Sequence, residues 1–91
     1  MGVYKVSYAS ERIQAEIEKF LEKVPRNYRE QILNDIKKLG ENPRPPQAFK
    51  LVGRAIFRLR SGDYRIFYDI SEQKREVLII GLRRRNERTY K

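Results

Sequence analysis

Arginine is the residue type in this chain best suited to chemistry, and its spacing gathers several copies on one surface. Arg58 and Arg60 alternate with Phe57 and Leu59; after Ser61-Gly62-Asp63, Arg65 and Phe67 alternate with Ile66 and Tyr68. A two-residue Gly62-Asp63 turn with glycine first suits a type II′ hairpin. Counting outward from it pairs Ser61 with Tyr64, Arg60 with Arg65, Leu59 with Ile66 and Arg58 with Phe67. Strand side chains alternate, so Phe57, Leu59, Ile66 and Tyr68 share one face while Arg58, Arg60, Arg65 and Phe67 share the other. Like charges directly opposite on a sheet repel, so Arg60 beside Arg65 asks for an anion, and phosphate is the obvious one. The alternative is a solvated face on which Asp63, Asp69 or Glu76 neutralises the arginines. Further on, Arg83, Arg84, Arg85 and Arg88 extend the basic patch, although a terminal arginine run can also hold nucleic acid loosely and without chemistry.

Other chemistries are closed by composition. The 91 residues include no cysteine and no histidine, which excludes disulfides, thiol nucleophiles, imidazole or thiolate metal sites and histidine acid–base catalysis. No phosphate-binding glycine loop, zinc-protease helix or serine-hydrolase elbow occurs, and the acids show no metal-ligating spacing; neither a cofactor nor a metal is expected. Cleaving RNA without metal needs a base for the 2′-hydroxyl, cations for the phosphorane and an acid for the 5′-oxygen. Arginine supplies the cations and forks onto phosphate oxygens, but it is a poor proton carrier. Tyr90, set among Arg88, Lys91 and the arginines at 83–85, is the best-placed carrier, because neighbouring positive charge favours its phenolate. Glu87 is the fallback. A packing anchor or a loose tail would account for Tyr90 equally well.

The formal charge is +9, from 21 basic and 12 acidic residues, and such an excess predicts a polyanionic partner. Residues 1–47 hold 9 basic and 7 acidic side chains, net +2, whereas residues 48–91 hold 12 and 5, net +7. A surface rich in both signs, of the thermophile kind, would mix charges throughout.

The elements that must position the patch follow from periodicity. Residues 3–8 alternate and are β-rich. Ser10 suits a helix N-cap, and Ile13, Ile17, Phe20, Leu21 and Val24 fall at helical spacing. Pro25 suits the first turn of a second helix with the stripe Tyr28, Ile32, Leu33, Ile36 and Leu39, stopped by Gly40 as a C-cap. Residues 41–47 carry three prolines and form an extended connector. Three strands at 55–60, 64–70 and 76–82 make an antiparallel meander before a basic tail at 83–91. The order β-α-α-β-β-β makes one α+β domain over 1–91, a helical hairpin on one face of an antiparallel sheet. Met1 leads into Tyr4-Lys5-Val6-Ser7 rather than an apolar leader, and no run is apolar enough to cross a membrane, so a cytoplasmic chain is expected.

The segments Lys50-Leu51-Val52-Gly53, the core RLRSGDYRIFY at 58–68, and Gly81-Leu82-Arg83 with the later Tyr90 resemble the RelE/ParE toxin superfamily. The likeness runs over the whole chain, and its specific part is the RLRxGDYR core. It implies a microbial-ribonuclease-like α+β fold and a toxin of a type II toxin–antitoxin system. Such a toxin enters the ribosomal A site, contacts 16S rRNA, cleaves messenger RNA and is silenced by an acidic antitoxin. Carried over by position, Arg65 matches a phosphate-stabilising arginine, Arg58 a basic catalytic position, Tyr90 a tyrosine that stacks on or activates the substrate, and Arg60 an accessory basic position. Alignment from Gly81 selects Arg83 as the C-terminal catalytic arginine, whereas counting back from Tyr90 selects Arg84. With Arg84 taken as catalytic, Arg83, Arg85, Arg88 and Lys50 join Arg60 as RNA contacts. Ile56 departs from the family, whose best-known members carry a lysine there. Two other functions fit the same residues: a ParE-like inhibitor of DNA gyrase, and an RNA-binding module without activity.

Overall fold

In the computed structural model, residues 3–51, 53 and 55–85 are described. Strand β1 (Lys5–Tyr8) leads into helices α1 (Glu11–Glu22) and α2 (Arg26–Lys38), followed by strands β2 (Ala48–Lys50), β3 (Phe57–Ser61), β4 (Tyr64–Ser71) and β5 (Glu76–Arg84). One five-stranded sheet runs in the order β1-β5-β4-β3-β2. The β2 to β5 neighbours pair antiparallel, but β1 lies parallel to β5, so the sheet is mixed rather than antiparallel throughout. β2 is a strand beyond the β-α-α-β-β-β order. It forms because Leu51 donates its N–H to the Ile56 carbonyl at 2.8 Å, turning residues 48–50 back alongside β3.

Ser10 caps α1 as its type demands: its backbone is extended and its Oγ accepts the Ile13 N–H at 3.1 Å, satisfying one of the orphan donors of the first turn. Pro25 sits at the N-cap of α2 with φ −54, one residue before the first helical position that proline favours. Ile17 and Leu21 of α1 and Ile32 and Ile36 of α2 are buried against Leu59, Ile66, Tyr68, Val77 and Ile79 of the sheet. Leu33 does not join that stripe. It is 44% exposed, because one residue beyond Ile32 the helix has turned about 100° away from the core.

Gly40 does not adopt the left-handed backbone of a glycine C-cap. A side chain there would have its Cβ 3.0 Å from the Tyr4 carbonyl oxygen and 3.3 Å from Val6 Cγ2. Its carbonyl accepts the N–H groups of both Val3 and Tyr4. Close approach of the first strand to the end of α2 is therefore what requires glycine.

Two polar contacts, one buried and one partly buried, tie the layers together. Tyr68 is fully buried and donates its hydroxyl to the Pro43 carbonyl at 2.7 Å. Its ring stacks on Phe57 at 5.5 Å. Ser61 donates to Asp35 Oδ2 at 2.6 Å, fixing the end of β3 to α2. With both helices on one side, no helix among the described residues covers the opposite face of the sheet, which carries the arginines.

Candidate nucleic-acid interface

The hairpin between β3 and β4 has the register that the Gly62-Asp63 turn demands: Phe57 pairs with Tyr68, Arg58 with Phe67, Leu59 with Ile66, Arg60 with Arg65 and Ser61 with Tyr64. Gly62 has φ +59, and Asp63 is not among the non-glycine residues with positive φ, as a type II′ turn requires. Leu59, Ile66 and Tyr68 are buried under the helices, while Arg60 is exposed and Arg58, Arg65 and Phe67 are half-buried on the other side.

β5 adds the third strand of the patch, and a bulge decides which of its arginines joins. Phe67 pairs with Gly81 but Tyr68 pairs with Ile79, leaving Ile80 as an extra residue. Strict alternation from the buried Val77 and Ile79 would turn residue 84 outward. The extra residue reverses the phase. Leu82 is buried opposite Ile66, and Arg83 stands opposite Arg65. Arg84 stands opposite Tyr64, where it lines a hollow of about 180 Å³ with Phe20, Lys23 and Val24 on the helix side. The structure thus groups Arg83 with Arg65 and separates Arg84 from them.

Two cross-strand rows result. One is Arg60–Arg65–Arg83, three guanidinium groups on adjacent strands; directly paired residues on a sheet have Cβ atoms about 4.5–5.5 Å apart. The next is Phe49–Arg58–Phe67–Gly81. Beside them Leu51, Ile56, Phe67, Ile80, Gly81 and Arg83 line an open, largely apolar cavity of about 280 Å³. Ile56 belongs to its wall, so the position that departs from the family pattern lies on this face.

Among the described residues, no acid pairs with Arg58, Arg60 or Arg83. The ion pairs found among the described residues are Arg12–Glu16, Arg26–Glu30 and Arg44–Glu72, none involving Arg58, Arg60 or Arg83. Asp69 accepts the backbone N–H of Ile70, and Glu76 accepts from Ser7 Oγ. Arg58 instead sits over the Phe49 ring, 6.0 Å from its centroid.

Of the other expected contacts, Arg85 is exposed and donates its backbone N–H to the Asp63 carbonyl at 2.6 Å, holding the strand end beside the turn. Lys50 pairs with Phe57 and so falls on the helix side of β2, away from the arginine face. Arg88, Tyr90 and Glu87 lie outside the described residues. Tyr8 and Tyr68 have phenols held above their ordinary range chiefly by burial, Tyr68 at about 12. Tyr68 is committed to the Pro43 carbonyl on the helix side and cannot serve the arginine face. Among the described residues, no group of acids is placed to hold a metal ion, and no helix is long and apolar enough to cross a membrane. Phe49 was not singled out by sequence reasoning, because a three-residue strand after a proline-rich connector leaves no periodic signal.

A two-helix layer on one side of a sheet, with arginines gathered on the other, defines a small α+β protein that presents cationic side chains on one sheet face. Residues 9–88 match the family model described as the ParE toxin of type II toxin–antitoxin systems, and the chain belongs to that family, within the RelE/ParE superfamily of toxins. No curated protein gives a significant sequence match.

Solved structures share the fold. A chain of the archaeal RelE–RelB complex from Pyrococcus horikoshii superimposes with a TM-score of 0.76 at 24% identity, covering 93% of this chain and 98% of that one. A double arginine-to-alanine mutant of the E. coli toxin RelE in the free state gives 0.66 at 27% identity over 94% of this chain and 86% of the other. A chain of the intact E. coli RelBE toxin–antitoxin complex gives 0.68 at 26% identity, covering 92% and 99%. The chain is a RelE-like toxin with the RelE fold.

Proposed function

We propose that this toxin is a metal-independent, ribosome-dependent endoribonuclease that cleaves messenger RNA in the A site and so stops translation in the cytoplasm. The observation that carries the proposal is the Arg60–Arg65–Arg83 row, with Arg58 one row below and no acid pairing Arg58, Arg60 or Arg83 among the described residues. Cleavage forms a bond between the ribose 2′-oxygen and the adjacent phosphorus and breaks the bond to the 5′-oxygen, leaving a 2′,3′-cyclic phosphate and a free 5′-hydroxyl. Negative charge accumulates on the non-bridging oxygens in between. Preorganised guanidiniums aimed at those oxygens lower the barrier without having to reorient.

In this reading Arg65, central in its row, is the principal stabiliser, with Arg58 and Arg83 flanking it. Arg83 takes the role that counting back from Tyr90 gives to Arg84. Arg60 and Arg85 hold neighbouring phosphates or 16S rRNA. The proton carrier falls to the C-terminal segment, with Tyr90 first. A cognate acidic antitoxin silences the toxin, a partnership supported by the RelE–RelB complexes among the structures that share this fold.

The test is to incubate the purified protein with programmed ribosomes and map the messenger ends. New ends within the A-site codon, unchanged by chelators, are the expected result. Intact messenger would refute the proposal. Inhibition of DNA gyrase with messenger left intact would establish the second reading, which the ParE description of the matched family favours; binding without cleavage would indicate an RNA-binding module.

A further inference from the structure

Phe49 is 59% exposed, more than any other large hydrophobic residue of the described chain. Single exposed aromatics are ordinary on protein surfaces, but this one is placed and held. Its partner in the register is Arg58, which puts the ring on the arginine face. The Arg58 guanidinium lies 6.0 Å from the ring centroid and orients it. The row of Phe49 is one pleat, about 6.7 Å, from the row of Arg60, Arg65 and Arg83, within the reach of one extended nucleotide. Nothing in the core needs the ring, since the hydrophobic residues that β2 and β3 turn toward the helices are Ala48, Phe57 and Leu59.

We infer that Phe49 is a stacking platform for one base of the RNA whose phosphates lie on the arginines, a binding contact that precedes chemistry. The inference rests on the proposed RNA-cleaving role of this face. Charge complementarity identifies the occupant as nucleic acid: the surroundings of the ring are cationic, and a flat π surface next to guanidiniums accepts any base. Arg58 then has two tasks, holding the ring and facing a phosphate.

The experiment measures binding of a short single-stranded RNA and of the same oligonucleotide made abasic, which keeps every phosphate and loses every base. Phe49→Ala should weaken binding of the intact RNA roughly 5- to 150-fold and leave the abasic strand unchanged. Phe49→Tyr should bind as the wild type does, whereas Phe49→Leu, apolar but without a π face, should behave like the alanine variant. Equal affinity of wild type and Phe49→Ala for the intact RNA overturns the inference, as does full retention by Phe49→Leu. Failure of the underlying reading looks different, because wild-type affinity would then be insensitive to Arg60→Ala and Arg83→Ala together. Loss of Phe49 cannot masquerade as misfolding, since an exposed edge position leaves the thermal midpoint within a few degrees of wild type.

Discussion

Arg83→Ala and Arg84→Ala are neighbouring substitutions of the same type, and the β5 bulge assigns them opposite outcomes. Arg83 stands opposite Arg65 on the open face, and Arg84 stands opposite Tyr64 on the helix side. Removing one preorganised charge that faces a developing phosphorane costs about 3–4 kcal/mol, or about 10²- to 10³-fold in rate. Removing an exposed arginine from the rim of the helix layer changes stability by only about 0.5 kcal/mol and touches no reacting atom. The rate of Arg84→Ala should therefore exceed that of Arg83→Ala by roughly 10²-fold or more. Single-turnover messenger cleavage on programmed ribosomes reads this directly, with thermal unfolding of both proteins as the control. If Arg84→Ala is the crippled variant while Arg83→Ala cleaves at the wild-type rate, the register across the bulge does not govern the site.

Arg65→Ala should lose about 10²-fold or more in messenger cleavage with its circular dichroism unchanged. Salt should weaken ribosome or RNA binding steeply, and Arg83→Ala combined with Arg85→Ala should flatten the slope of log affinity against log salt; identical slopes would deny those arginines any phosphate contact. Tyr68→Phe strands the buried Pro43 carbonyl and should lower stability by about 1–3 kcal/mol in urea unfolding. Because burial pushes the Tyr68 phenol up to about 12, the unfolded chain ionises first as pH rises past about 10. The stability held below pH 10 then falls by about 2–3 kcal/mol by about pH 12. A wild-type alkaline unfolding curve matching that of Tyr68→Phe would remove this residue from the explanation.

The parts of the fold legible in the sequence are those set by local rules. Gly62-Asp63 dictates a turn, the turn dictates a register, and the register sorts Arg58, Arg60 and Arg65 from Leu59, Ile66 and Tyr68 without any knowledge of the rest. Ser10 announces a helix start by the oxygen it offers. What was not legible depends on distant partners. Parallel pairing of β1 with β5 joins residues some 70 apart in sequence, and nothing within either strand encodes it. Gly40 reads as a helix stop until Tyr4 and Val6 come to lie against it. Ile80 is an ordinary strand residue by type, and only its two neighbours on β4 show that it is surplus. The choice between Arg83 and Arg84 therefore could not be made from spacing, and the placement of Phe49 was hidden with β2.

The row of three arginines has a consequence for the thermodynamics of the free chain. Crowding cations on one face raises the free energy of the folded state relative to an expanded one in which they separate. Any polyanion that covers the row binds the folded form preferentially, so occupancy and folding are linked. At a ligand concentration 100 times its dissociation constant the linkage amounts to about 2.7 kcal/mol, equivalent to a rise of roughly 10–20 °C in the midpoint for a domain of this size. A cell holding this protein bound, whether to RNA or to an acidic protein, thus holds a sturdier molecule than one in which it circulates alone, and the bare form is the one exposed to proteases.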